Sequence, residues 1–159
     1  MRIGRLTLSD RASAGIYEDL SGPEIERVVR ECLPGSPCEF VARVLPDERE
    51  RIAAALRELC DVEECTLVLT TGGTGPSLRD VTPEATRDVI EKELPGFGEA
   101  MRMRSFEKVP TAILSRAVAG VRGRSLIVNL PGNPKAIGEC LPMLAPAMGE
   151  CLRHLAGRE

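Results

Sequence analysis

The run Thr70-Thr71-Gly72-Gly73-Thr74-Gly75-Pro76 is the strongest local chemical signal in this chain. Consecutive glycines let a backbone turn sharply and approach a ligand closely. The N–H groups of Gly72, Gly73, Thr74 and Gly75 can then point together at an anion, and a phosphate is the natural guest. The run lacks the Lys-Ser/Thr pair of a Walker A loop and does not spell G-x-G-x-x-G, so neither fingerprint applies. A plain tight turn after a strand is the competing reading. Two carboxylates could complete the chemistry: Asp80, five residues past Gly75, and Asp47, which follows another strand-like segment. Two carboxylates beside a phosphate repel it unless a hard cation such as Mg²⁺ lies between them, which makes metal-dependent phosphoryl or nucleotidyl transfer the sensible reaction class. Singly, Asp47 also reads as a helix N-cap with Glu50 completing a capping box, and Asp80 as a loop residue beside Arg79.

Pro131-Gly132-Asn133-Pro134 ends a strand with a fixed turn before a helix whose N-terminus can hold an anion. Between Glu99 and Arg124 lie six basic residues (Arg102, Arg104, Lys108, Arg116, Arg122, Arg124) against two acidic ones (Glu99, Glu107), a local charge of +4 that would suit a polyanionic small substrate or simply face solvent. Ser105 and Ser115 lie within that segment as hydroxyl donors. The lone His154, near the end of the last helix, complements the helix dipole better than it serves a nucleophile, so no Ser/His/Asp or Cys/His set is credible.

The elements that must position these groups follow from hydrophobic spacing. Ile3, Leu6 and Leu8 form a β-like run that ends at Ser9-Asp10-Arg11, with a loop through Gly15 and Asp19. Ser21-Gly22-Pro23 opens a helix on Ile25, Val28, Val29 and Cys32, stopped by Pro34-Gly35. Glu39 to Leu45 alternates as a strand, and a helix carries Ile52, Ala55, Leu56 and Leu59. Thr66 to Thr70 reads as a buried strand leading into the glycine run. Thr82 and Pro83 read as N-cap and first position of a helix through Val89 and Ile90, which Leu94-Pro95-Gly96-Phe97-Gly98 breaks before a helical stretch from Ala100 to Phe106. Residues 117–121 and 125–130 read as a hairpin about Gly123, and a last helix from Ile137 to Leu155 contains Pro142 and Pro146, which should kink it. Alternating strands and helices predict an α/β fold: a mostly parallel sheet with helices on both faces and one antiparallel strand near 117–122. Right-handed crossovers then bring the loops at Ser9, Asp47, Gly72 and Gly132 to one sheet edge, where ligands of such sheets bind.

Composition narrows the partners. With 159 residues, 43% hydrophobic and 28% charged, the chain is expected to form a single domain over 1–159. No Trp, one Tyr and three Phe leave no aromatic platform for single-stranded bases, and a net charge of −3 argues against nucleic acid. Six cysteines contain no C-x-x-C pair, and with one histidine a zinc site is unsupported. No apolar run is long enough to span a membrane. The opening residues carry no basic-then-apolar leader, so a reducing cytoplasmic setting is expected.

Six blocks, in order over nearly the whole chain, resemble the molybdopterin adenylyltransferases of the Mog/MoaB type: Ser9-Asp10-Arg11, the glycine run at 70–76, Arg79-Asp80-Val81-Thr82-Pro83-Glu84-Ala85, Pro95-Gly96-Phe97-Gly98-Glu99, Pro110 to Arg116, and Asn129-Leu130-Pro131-Gly132-Asn133-Pro134. The resemblance implies a three-layer α/β/α sandwich that assembles as a homotrimer. It implies a reaction in which Mg-ATP adenylylates molybdopterin and releases pyrophosphate, with the product passing to a molybdate insertase. On the matching positions, Asp47 and Asp80 would organise Mg²⁺ and the reacting phosphates. Gly72, Gly73, Thr74 and Gly75 would cradle phosphate, and Ser9, Asp19, Ser105, Ser115, Asn129, Pro131, Gly132 and Asn133 would lie near pterin and nucleotide. A non-catalytic molybdopterin-binding scaffold and a Mg²⁺-dependent nucleotide pyrophosphate hydrolase are the alternatives.

Overall fold

The computed structural model describes residues 1–33, 35 and 37–157. In chain order its elements are β1 (Arg2–Leu8), α1 (Asp10–Ser13), α2 (Ser21–Cys32), β2 (Glu39–Leu45), α3 (Arg49–Arg57), β3 (Leu67–Thr71), α4 (Thr82–Arg87), β4 (Lys92–Glu93), α5 (Pro95–Phe106), β5 (Ala119–Arg122), β6 (Ser125–Leu130) and α6 (Pro134–Leu155). A π-helical turn over Glu58–Val62 continues α3, and a 3-10 helix spans Pro110–Leu114.

The strands form one sheet in the order β2-β1-β3-β6-β5-β4. β1 pairs parallel with β2 and β3, and β3 pairs parallel with β6. β5 runs antiparallel to both β6 and β4, so it is the one reversed strand. Side chains alternate across the sheet with the period of two that a pleated strand imposes. Ile3, Leu67, Leu69, Leu126, Val128 and Leu130 point into a core closed by α2, α5 and α6. Leu6, Leu8, Val68 and Ile127 point into the opposite core, which α3 and α4 close with Ile52, Leu56 and Ala85. The central strands are buried on both faces and therefore read as apolar runs, the signature of a parallel sheet covered on both sides. The α/β sandwich with a mostly parallel sheet and one antiparallel strand is thus the observed architecture.

Register decides where the loops emerge. Leu8 lies opposite Leu45, Thr7 opposite Thr71, and Thr71 opposite Leu130, so β1, β2, β3 and β6 finish level with one another. The connections leaving Leu8, Leu45, Thr71 and Leu130 therefore share one edge.

Several local expectations change. Pro95 to Gly98 do not break a helix: the preceding α4 already ends at Arg87, short of Val89 and Ile90, and Pro95 begins α5. Pro lacks only an N–H that a first helical turn leaves unpaired. Thr82 is inside α4, with Val81 at the N-cap. Asp47 is not an N-cap either, because Glu48 occupies that position without a side-chain bond and the Asp47 carboxylate is engaged elsewhere. The segment after Ser9 is a short helix capped by the Ser9 hydroxyl, where a loop was expected. β4, two residues on a sheet edge, has no counterpart in the sequence reading. The last helix is α6, and the two prolines expected to kink it, Pro142 and Pro146, both lie within it. Pro34, the expected stop of α2, lies outside the described residues; the helix ends at Cys32.

Candidate active site

The glycine run leaves β3 with Gly72 at φ +94° and Gly73 at φ +65°, the left-handed region that favours glycine. A Cβ on Gly72 would collide with the Leu8 carbonyl, and one on Gly73 with the Thr82 hydroxyl. The carbonyls of the run are all taken from one side. Thr82 Oγ1 donates to Gly72 O at 2.9 Å and Thr82 N to Gly73 O at 3.1 Å. Arg116 N donates to Thr74 O at 2.8 Å, and Arg116 Nε to Gly75 O at 2.9 Å. The Arg116 guanidinium continues to Asp80 O at 2.8 Å and pairs with Glu84. Among the described residues, the N–H groups of residues 72–75 have no partner of their own. A backbone with its acceptors bound and four donors free has those donors available to an anion.

Asp47 and Asp80 both reach this run. A Cβ on Gly73 would come within 2.9 Å of Asp47 Oδ1, and one on Gly75 within 2.9 Å of Asp80 Oδ2. Asp80 also accepts from Ser77 N at 3.0 Å, which closes the loop. Asp47 is tied to the start of α1 by a reciprocal pair: Asp10 N donates to Asp47 Oδ2, and Asp47 N donates to Asp10 Oδ1, each at 3.0 Å. Asp47 Oδ1 is buried and has no hydrogen-bond partner. Burial pushes the Asp47 carboxyl above its ordinary value, and the negative charges of Asp10 and Asp80 push it the same way. The Asp10 carboxyl is held low by the Arg79 guanidinium, which grips it through Nε at 2.9 Å and a terminal nitrogen at 2.7 Å.

Two cavities flank the turn after β6. One, about 210 Å³, is lined by Ser9, Asp19, Ser21, Thr71, Gly72 and Gly132 among others. The other, about 220 Å³, is lined by Ser105, Ser115, Pro131, Asn133 and neighbours on α5. The turn itself is stapled in place: Thr71 Oγ1 donates to Pro131 O at 2.7 Å, Ser21 Oγ to Gly132 O at 2.8 Å, and Asn133 caps α6 by accepting from Lys135 N.

The remaining sequence candidates fall into two groups. The Asp19 carboxylate is occupied by Arg5, Thr7 Oγ1 and Gly22 N, so it shapes its cavity wall as part of a bonded cluster. Asn129 is fully buried, accepting from Val118 N and donating to Thr70 Oγ1 and Thr86 Oγ1, and it ties β6 to β3 and α4. The basic segment is largely spent inside the protein. Arg102 donates to Ser115 O and Ala117 O, Lys108 pairs with Glu139, and Arg122 pairs with Asp61. Sequence reasoning missed Asp10 and Arg79 as neighbours of Asp47, and Arg116 and Thr82 as the groups that hold the loop carbonyls. All four lie inside the blocks quoted above, but neither backbone acceptance nor a contact across 69 residues has a local sequence signal.

A roomier cavity, about 450 Å³, opens at the other edge of the sheet between Cys60, Asp61, Glu64, Arg122, Arg124 and Leu155. Most of its polar groups are engaged. Arg122 bonds Asp61 and Val89 O, Gly123 N bonds Glu91, and Arg124 bonds Leu155 O. Among the described residues no cluster of three or more His, Cys, Asp or Glu could hold a metal by itself, and no helix is long and apolar enough to cross a membrane. None of the six cysteines forms a disulfide.

Comparison with known proteins gives the family. The model of the family described as "Probable molybdopterin binding domain" matches residues 4–150. The chain belongs to that family. It is 56% identical over 157 residues to a molybdopterin adenylyltransferase of Helicobacter pylori, covering 99% of this chain and 89% of the relative. It is 50% identical over 154 residues to the molybdopterin adenylyltransferase of Escherichia coli K12, covering 97% and 78%. Among solved structures, the molybdopterin biosynthesis enzyme MoaB from Thermus thermophilus superposes with a TM-score of 0.85 at 44% identity, covering 98% of this chain and 96% of that one.

Proposed function

We propose that this chain is an enzyme of molybdenum cofactor biosynthesis, a molybdopterin adenylyltransferase that transfers AMP from ATP to the terminal phosphate of molybdopterin. The observation that carries the reading is the loop at 72–75, with every carbonyl bound by Thr82 or Arg116, its four amides free, and Asp47 and Asp80 beside it. The names and identity of the relatives support the same activity. A binding-only role fits less well, because a scaffold has no use for an unpartnered buried carboxylate oxygen beside an anion receptor.

The donor set suits Mg²⁺. Asp47 Oδ1 lacks a partner, Asp47 and Asp80 repel each other, and hard carboxylate oxygens next to a phosphate receptor are the ligands this cation takes alongside phosphates. Bound there through Asp47, Asp80 and the phosphates, the cation would neutralise negative charge as it moves onto the leaving group. The residues of the chain do the positioning. The amides of Gly72 to Gly75 bind phosphate oxygens, and Arg116 keeps the loop carbonyls turned away from them. The level strand ends set the two cavities on either side of Gly132, one for each substrate, with Ser9 on one wall and Ser105 and Ser115 on the other. No protein nucleophile is required: the pterin phosphate attacks the α-phosphate, and catalysis is orientation plus charge neutralisation.

The deciding experiment is a pyrophosphate-release assay with Mg-ATP, with and without molybdopterin. Release that depends on the pterin, with AMP recovered on it, is the expected result. Equal release without pterin identifies a hydrolase, and pterin binding without release a scaffold. The same reading places one functional domain across 1–159 in the cytoplasm, as a homotrimer that hands its product to a molybdate insertase. Sedimentation of the purified protein tests the trimer.

A further inference from the structure

Two arginines hold the loop between Thr74 and Asp80, and they do it in different ways. Arg116 grips backbone carbonyls at Gly75 and Asp80 and is additionally paired with Glu84, so releasing it would unpair several groups together. Arg79 lies on the loop itself and, among the described residues, bonds one partner, the Asp10 carboxylate, with side chains 60% and 41% exposed. An exposed pair of this kind is readily exchanged for another anion, because water screens it and both side chains are free to move. The partner is also unusually placed. Asp10 is locked by reciprocal backbone bonds to Asp47, so the guanidinium is held one residue away from the carboxylate that faces the free amides. Arg79 is also the cation whose charge acts on Asp47.

We propose that Arg79 is an exchangeable phosphate ligand, parked on Asp10 in the free protein and transferred to the β- and γ-phosphates of ATP when the nucleotide occupies the loop. This rests on the adenylyl-transfer reading. A guanidinium fork matches two phosphate oxygens as well as two carboxylate oxygens, and a pyrophosphate group carries more charge than one Asp. In the transfer step the bond between the α-phosphorus and the α–β bridging oxygen breaks, and a bond from a pterin phosphate oxygen to the α-phosphorus forms. Pyrophosphate leaves with the electron pair, and Arg79 meets the charge that accumulates on it. Asp10 has a matching purpose. It orders the guanidinium beside the loop before nucleotide arrives, and this bidentate pair is what the phosphates displace.

The test compares Arg79→Gln with Asp10→Asn, which keeps an oxygen to accept from Asp47 N. Each is measured for the KM of Mg-ATP, for product inhibition by pyrophosphate, and for calorimetric binding of Mg-pyrophosphate to the protein alone. Arg79→Gln is expected to weaken pyrophosphate binding and raise the KM by about 10–100-fold, with Arg79→Lys recovering part of the loss. Asp10→Asn is expected to leave pyrophosphate binding unchanged or tighter. Equal weakening in both variants would mean that the pair is only a brace, and unaltered binding in Arg79→Gln would also overturn the proposal. The underlying reading fails separately: wild-type protein that binds Mg-pyrophosphate through Arg79 yet adenylylates no pterin keeps the ligand and loses the enzyme.

Discussion

The two edges of the sheet teach opposite lessons. At the edge where β1, β2, β3 and β6 end, the cavities are small, about 210 and 220 Å³, but polar groups are left unmet: four loop amides and one buried Asp47 oxygen. At the other edge the cavity is twice as roomy, about 450 Å³, yet Arg122 and Asp61 bond each other, Arg124 bonds Leu155 O and the Gly123 amide donates to Glu91. Buried polar groups are normally paired, so an unpaired one marks where a ligand completes the structure. The other buried side-chain atom without a hydrogen bond among the described residues, Arg2 Nε at the opposite edge, lies 3.7 Å from the Glu39 carboxylate and so has an ion-pair partner; Asp47 Oδ1 has none, and unmet bonding capacity rather than volume locates the chemistry here.

Substitutions at the two edges should separate sharply. The largest effect belongs to Asp47→Asn and Asp80→Asn, each expected to reduce pterin-dependent AMP transfer by about 10²–10³-fold while pterin binding persists. Activity near wild type in both would remove these carboxylates from the reaction. Next comes Gly73→Ala, which forces a side chain into the left-handed region and against Thr82 and Asp47. It should cost about 1–3 kcal/mol in urea unfolding and reduce transfer by about 10–100-fold, since the backbone that presents the amides is displaced. Asn129→Ala leaves Val118 N, Thr70 and Thr86 short of partners in the core, and a stability loss of about 1–3 kcal/mol is expected with the KM for ATP largely kept. A large KM change in a variant that stays folded would instead put Asn129 in contact with substrate.

At the opposite edge, Arg122→Ala removes a partly exposed pair and should change stability by about 1 kcal/mol or less, with activity within about twofold. A substantial activity loss there would break the contrast between the two edges. The smallest effect concerns pH. Asp47 has a folded-state pKa above its ordinary 3.8, so its ionisation opposes folding. The stability that its protonated form contributes is complete below the ordinary value and lost as pH rises through the raised one. Asp47→Asn should therefore be slightly more stable than wild type at neutral pH and no more stable in acid, as thermal melts would show. The acid limb of kcat/KM for Mg-ATP should lie above 3.8, and Asp10→Asn should move it downward by removing one of the repelling charges.

The sequence made the layer order legible because the burial pattern is regular. β2 emerges with the predicted bounds, and the hairpin of β5 and β6 follows from alternation about Gly123. The glycine run and the two carboxylates were legible because their residue types are unusual at strand ends. What sequence could not supply was satisfaction at a distance. Asp47 has the spacing of a capping residue, but its carboxylate bonds Asp10, 37 positions away, and competition from that contact removes it from the helix. The charge of the 99–124 segment suggested a field for substrate, whereas the fold uses Arg102, Arg116 and Arg122 mainly as internal fasteners. Pro95 misled for a local reason: a proline that ends one helix and a proline that starts another look the same until the preceding element is placed.

The strand order has a consequence for how the chain comes into being. β6 is among the last elements in sequence, yet it lies between β3 and β5 at the middle of the sheet, and α6 packs on the same face as α2. During synthesis, β1, β2 and β3 can associate as soon as they emerge, but residues beyond 125 must follow before their apolar surface is covered. The receptor at 72–75 faces the same delay, because the turn at 131–133 that anchors Thr71 and packs Gly132 against Gly72 comes late. Contacts that close over about 60 residues of chain are the slow ones in folding. The receptor is therefore completed only once the turn after β6 has been made, so the site near the middle of the chain depends on an element close to the end of the described residues.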